Sequence, residues 1–394
     1  MNDTESRTLA FTNADIAGFG IGTLRIRGGR IASIGTPEQG DVVVDLRGDR
    51  VLPGLVNAHD HLHRNHYPRL KYQPHYGNAS EWSADIDARR ASDVVLVSCA
   101  SVPRVDRLIM GALKNLLSGV TTVVHHDASY PEMFAPDFPV HVPVAYGWAH
   151  SLTLDGEIGV RQSHAATPSG TPWFIHAGEG GDTAAREELP RLIALGVLEP
   201  NTVLVHGVAF DAGDRARLVE RRAGLVWCPG SNHFLLGRSA EVRELIHEGL
   251  LALGSDSRLS GERDLLDELR FARSLGEVAD DALESLVTTR AARLLRLADR
   301  GVLRAGAVAD FIVMPRDARL GELRRADLRC VCVRGEMRYG DHDLAEILLT
   351  PSSRVFATVD GRAKCVDARV GKLLRRPSVH EPGVALVPQA QQAA

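Results

Sequence analysis

Histidine dominates one stretch of this sequence. LPGLVNAHDHLHRNHYPRL, residues 52–70, holds His59, His61, His63 and His66, and His75 follows shortly after. His59 and His61 close an apolar, strand-like run; residues two apart in an extended segment share one face, so both imidazoles can address one point. Further on, His176 ends PWFIH, His206 ends TVLVH and Asp256 ends LLALGSD. Three imidazoles and a carboxylate, with one more histidine at hand, suit one borderline divalent metal, Zn²⁺ in preference to Fe²⁺. Each residue also has a plainer reading. Asp256 can cap the helix that SDSRLSGERD leads into, His176 and His206 can be buried and hydrogen-bonded, and Glu179 can cap the helix near DTAAREEL. The joint pattern carries more weight than any member, because all of these groups fall at or just after the ends of strand-like runs.

The elements that must position them read as follows. From residue 53 to about 298, apolar runs (GLVNAH, TTVVHH, VPVAYGW, PWFIHAGEG, TVLVHGV, GLVWCPGSN, LLALGSDS) alternate with helix-length segments whose apolar residues recur at three and four. Repeated strand and helix alternation at this length predicts an α/β chain with a parallel sheet closed into a barrel, where catalytic groups collect at the C-terminal strand ends. Residues 1–52 and 299–372 are β-textured, neither large enough to stand comfortably alone. The expectation is one small composite β-sandwich built from both ends, with 373–394 as a poorly ordered tail.

Bulk properties narrow the function class. With 46 basic and 50 acidic residues and a net charge of −4, the chain offers no large field of one sign, so nucleic acid and anionic membrane are not expected partners. The N-terminus lacks the basic start and apolar run of a secretory signal, and no apolar stretch is long enough to span a bilayer. The five scattered cysteines fit a reducing cytoplasm.

LPGLVNAHDHLH, FIHAGEG, LVHGV, WCPGSNHFLLG, LGSDS and AGAVADFIVM resemble, in order, the motifs of the amidohydrolase superfamily, in particular its cytosine deaminase, chlorohydrolase and adenosylhomocysteine deaminase branch. The resemblance runs from about residue 10 to residue 340. It implies a (β/α)8 barrel, a homo-oligomer such as a dimer, and a metal bound by His59, His61, His176 and Asp256. Glu179, three after His176, then moves protons between water and leaving group; His206 donates a hydrogen bond to substrate or water; and Asp256 also accepts a proton from the water. Binuclear members carry a bridging lysine at a strand end; no such lysine is present, Lys114 lying in a helical segment, so a mononuclear site is expected. The chain departs from the pattern in the middle: only 27 residues separate Trp148 from His176, which predicts a barrel distorted or shortened around strands three and four. The expected reaction is hydrolysis of a non-peptide carbon–nitrogen bond, foremost deamination of a nitrogen heterocycle. The alternatives are opening of a cyclic amide or hydantoin, dehalogenation, or a silent binding protein on the same fold. Substrate contacts are expected among Trp82, His125, His126, Asp127, Trp148, His150 and Asn232, with His63, His66 and His75 in the pocket wall.

Overall fold

A computed structural model describes residues 8–388. The two chain ends meet in one eleven-stranded sheet. Strands Leu9–Ile16, Gly20–Arg27 and Arg30–Gly35 form an antiparallel meander, its second turn made at Gly28 and Gly29, both at positive φ, which only glycine adopts without strain. Arg50–Pro53 then pairs antiparallel with Phe311–Met314, and this pairing joins the N-terminal strands to the C-terminal ones. Alternation decides what each face buries. Phe311 and Val313 pack toward Phe11 and Leu24, whereas Ile312 and Met314 belong to the large core shared with the helices. The strands of both chain ends thus follow one hydrogen-bonded path.

The middle of the chain carries seven parallel strands among the described residues: β1 (Leu55–Asp60), β2 (Val120–His125), β3 (Gly147–Trp148), β4 (Trp173–Ala177), β5 (Thr202–His206), β6 (Gly224–Trp227) and β7 (Leu251–Leu253). The last five form one sheet in the order β7-β6-β5-β4-β3, and β1 pairs with β2. Apart from the two-residue β3, their near-continuous apolar runs are buried along their length, as parallel strands covered on both faces require. Hydrogen bonds cross both seams between the two groups. His141 exchanges backbone bonds with Thr121 and Val123 at 2.8 and 2.9 Å, and the Asp256 amide donates to the His59 carbonyl at 3.1 Å.

Residues 140–148 meet β2 at their start, through His141, and β4 at their end, through Gly147 and Trp148, so one segment borders two strands that an eight-stranded arrangement would keep apart. The 27 residues that follow hold one helix, Leu152–Ala166, and the start of β4, which leaves no length for another strand.

The C-terminal segment is not the loose tail expected. Val384–Leu386 pairs with Arg354–Val359, and Glu381, 2% exposed, accepts two hydrogen bonds from Arg258 at 2.6 and 3.0 Å and another from the fully buried Arg325. Only residues 389–394 of the expected tail, with residues 1–7 at the other end, lie outside the described residues. Arg258 follows Asp256 by two positions, so this ion cluster ties the chain end to the loop carrying a candidate site residue. Glu381→Ala leaves two buried guanidiniums short of a partner and should cost about 3–5 kcal/mol. Thermal or urea unfolding checks it, and an unchanged midpoint would show that solvent takes over the pairing. No helix is long and apolar enough to cross a membrane among the described residues.

Candidate active site

The C-terminal ends of the parallel strands bring together the residues singled out in the sequence. His59 at the end of β1 places Nε2 3.4 Å from Nε2 of His176 and 3.8 Å from Oδ1 of Asp256; His61 Nε2 lies at 3.8 Å from the same Oδ1. His59, His206 and Asp256 offer donor atoms within 4.8 Å of one another. All five side chains are buried. Burial, then the charges of neighbouring groups, holds His59, His61 and His176 well below the ordinary histidine range, so all three are neutral with lone pairs available.

Two of these residues stand in strained backbone. Asp256 has φ 51° and His206 φ 81°, the left-handed region that costs a non-glycine residue energy. The surroundings compensate at Asp256: its Oδ2 accepts from Ser231 Oγ at 2.7 Å and Ser260 Oγ at 2.8 Å, and its Oδ1 accepts from the Ser257 amide at 2.7 Å. Burial alone would raise its pKa; the neighbouring His206 and these hydrogen bonds outweigh it and keep the group a carboxylate. Behind it, the fully buried Lys114 donates to the Asp256 carbonyl at 2.6 Å, to Ser255 Oγ at 3.0 Å and to Asp60 Oδ2 at 3.2 Å. Lys114 therefore braces the turn from beneath and pairs with Asp60; it is not at a strand end.

Glu179 Oε1 lies 3.4 Å from His206 Nε2. Burial, then the charges of Asp256 and Glu188, pushes its carboxyl well above the usual range, which favours the protonated form. His206 Nδ1 donates to Asn232 Oδ1 at 2.8 Å, leaving Nε2 as the acceptor that faces Glu179. Neither Ser231 nor Ser260 carries any sequence signal for its role; they are legible only once the chain has brought them to Asp256.

The substrate candidates separate. Asn232 is buried against His206 with its Nδ2 unpartnered among the described residues, and His150 stacks near His176 with ring centroids 4.6 Å apart. Asp127 lies 3.9 Å from His61 Nδ1, 3.6 Å from His63 Nε2 and 3.2 Å from an Arg64 nitrogen. His126 is fully buried between His59, His176 and Trp148. His125 points away from this group: its Nδ1 accepts from the Leu62 amide and its Nε2 donates to the Ala128 carbonyl, so it holds the loops after β1 and β2. Trp82 donates to the Leu70 carbonyl and packs with Phe234, Leu235 and Leu236. His66 packs on Tyr67 and His75 lies against Gly237, apart from the cluster.

A second buried acid supports the site indirectly. Glu268 accepts from the Gly230 amide at 2.6 Å, next to Ser231 and Asn232, and burial pushes its pKa up to about 8. A folded-state pKa raised above the unfolded value contributes stability in full below about pH 4.5 and loses it as pH rises toward about 8. Glu268→Gln, already neutral, should escape this loss. Its melting temperature relative to wild type should rise between about pH 5 and pH 8, and a pH-independent difference in thermal melts would contradict the assignment.

Comparison with known proteins agrees with this geometry. Residues 161–338 match the model of the amidohydrolase family. The chain is 31% identical over 340 residues to a 5-methylthioadenosine/S-adenosylhomocysteine deaminase of Halobacterium salinarum, covering 74% of this chain and 78% of the relative. It is 25% identical over 346 residues to a 5'-deoxyadenosine deaminase of Methanosarcina mazei, covering 74% and 79%. Among solved structures, an atrazine chlorohydrolase from Arthrobacter aurescens complexed with zinc superposes with TM-score 0.67 at 16% identity, covering 84% of this chain and 94% of the other. An adenosine deaminase from Xanthomonas campestris with bound zinc gives the same score and identity, covering 86% and 95%. Strand-end histidines, an acid beside them and an extended match to a sequence relative converge on one conclusion: the chain belongs to the amidohydrolase family of metal-dependent hydrolytic enzymes.

Proposed function

We propose that the chain is an aminohydrolase that replaces the exocyclic amino group of a nitrogen heterocycle, foremost a 6-aminopurine nucleoside, by an oxygen from water. The observation that carries this reading is the buried Glu179 carboxyl, 3.4 Å from His206 Nε2 and beside the His59, His61, His176 and Asp256 cluster. Its seven parallel strands are read as a shortened (β/α)8 barrel with the site at the C-terminal face.

The donor set fits a divalent metal, Zn²⁺ in preference to Fe²⁺. His176 Nδ1 donates to the His150 carbonyl at 2.8 Å, so its Nε2 lone pair faces His59 Nε2 in a buried space, an arrangement that a cation satisfies. His59, His61, His176 and Asp256 would hold it, and the ion would lower the pKa of a water molecule beside it toward neutrality and polarise the reacting centre. The chain's own groups do the rest. Asp256 accepts a proton from the attacking water, His206 orients the Glu179 carboxyl through its Nε2 lone pair, and Glu179 delivers a proton to the departing nitrogen. A leaving amide ion is far too basic to depart unprotonated, which is why a buried, proton-bearing acid is needed at that position. The names of the two sequence relatives, both deaminases of adenosine-type nucleosides, support the substrate class.

The test is incubation of metal-loaded enzyme with a panel of 6-aminopurine nucleosides, amino-triazines, cyclic amides and chloro-heterocycles, reading ammonia, chloride and product mass. Stoichiometric ammonia with an amino-to-oxo mass change is expected. Ring opening or chloride release without any ammonia would overturn deamination as the activity.

A further inference from the structure

We infer that His126 is a positioning residue: held by the Ala149 carbonyl, it fixes His59 in the tautomer that carries its proton on Nδ1 and thereby presents the Nε2 lone pair to the metal. The inference rests on the reading of His59 as a ligand. Among the described residues the His126 ring has two polar contacts, and neither is a carboxylate. Its Nε2 lies 2.9 Å from the Ala149 carbonyl oxygen and its Nδ1 lies 3.3 Å from Nδ1 of His59. A carbonyl oxygen only accepts, so Nε2 of His126 must bear the proton and Nδ1 of the neutral ring is a lone pair. That lone pair faces His59 Nδ1, which must then be the donor. The hydrogen on His59 Nδ1 leaves Nε2 bare, on the side of the ring that meets His176 and Asp256.

The opposite assignment fails at the Ala149 end. A proton on His126 Nδ1 would set a bare Nε2 against a carbonyl oxygen at 2.9 Å, two acceptors in a fully buried site. Nothing else near His126 relieves it: its ring is stacked on His176 at 4.2 Å and crossed by Trp148 at 5.9 Å, and its backbone amide is bonded to the Asp60 carbonyl. Ligating histidines generally donate their second N–H to a carboxylate, carbonyl or water. Here the partner is a neutral imidazole with a carbonyl behind it, a relay of two rings.

The shortened part of the chain supplies the anchor. Ala149 and His150 directly follow β3, and their carbonyls accept from His126 and His176 respectively. The His150 carbonyl receives both the backbone amide and Nδ1 of His176. The segment that borders two strands therefore sets the tautomers of two proposed ligands.

The experiment compares His126→Asn with His126→Gln. The Asn side-chain oxygen falls where Nδ1 stood and can accept from His59; the Gln amide nitrogen falls where Nε2 stood and keeps only the bond to Ala149. Zn²⁺ affinity, measured by competition with a chromophoric chelator, should stay within about threefold of wild type for Asn and weaken about 10–100-fold for Gln. A packing role would order them the other way, since Gln better fills the histidine volume; equal affinities, or Asn weaker than Gln, overturn the relay. A wild-type protein that binds no Zn²⁺ would instead sink the metal reading itself. The relay is also read without variants that must fold: in ¹⁵N-histidine spectra of Zn²⁺-loaded wild type, His59 should show the Nδ1–H tautomer and His126 the Nε2–H tautomer. A proton on His126 Nδ1 would overturn it.

Discussion

Asp256→Asn should lower turnover by roughly three orders of magnitude or more while leaving a folded protein. The carboxylate has two tasks that one neutral oxygen cannot share: Oδ1 faces Nε2 of both His59 and His61 at 3.8 Å, and the group brings negative charge to the side of the neutral imidazoles where those lone pairs meet. Removing that charge withdraws metal affinity and the proton acceptor for water together, each worth several kcal/mol. The fold survives because the amide meets the same partners. Its oxygen can keep the bond from the Ser257 amide, and its nitrogen can donate to the Ser231 and Ser260 hydroxyls, which rotate to accept. Asparagine also tolerates the left-handed backbone, φ 51°, that Asp256 adopts. The measurements are initial rates, metal content after dialysis, and a thermal melt. Wild-type rates in a folded variant would remove Asp256 from the site.

Why these residues were legible in the sequence, and others were not, has a physical basis. A parallel strand buried on both faces is a short apolar run, so PWFIH and TVLVH announce both a strand and the polar residue at its end. What such runs do not state is parity. In TTVVHHD, either His125 or His126 could face inward, and the choice depends on the register of β2 against β1, which shifts between Asn57 and Asp60. That shift sends His126 toward His59 and His125 toward the loops. Lys114 was readable as helical but not as buried, because its burial depends on Asp60, Ser255 and the Asp256 carbonyl arriving from remote positions. Glu381 was hidden for the same reason: an acid in a polar C-terminal stretch looks solvated until two arginines, 56 and 123 positions away, enclose it. The missing length between Trp148 and His176 was plain, yet the way residues 140–148 span the gap is a matter of pairing, which composition does not encode.

Glu179→Gln should retain metal and the fold but lower kcat by about 10²–10⁴ on an amino substrate. The Glu179 carboxyl meets His206 Nε2 at 3.4 Å, and a glutamine N–H can still donate to that lone pair. Geometry and binding are therefore preserved, so KM should move little and the loss should fall on kcat. What glutamine lacks is a proton to give away. The deficit should then depend on the leaving group: ammonia must be protonated as it departs, whereas chloride leaves as a stable anion and needs no proton. On a 6-chloro analogue of the same heterocycle the variant should retain far more of the wild-type rate than on the 6-amino substrate. Equal impairment on both would assign Glu179 to the water's proton and not to the leaving group's. Wild-type rates on both would show that the buried acid stands beside the reaction without taking part in it.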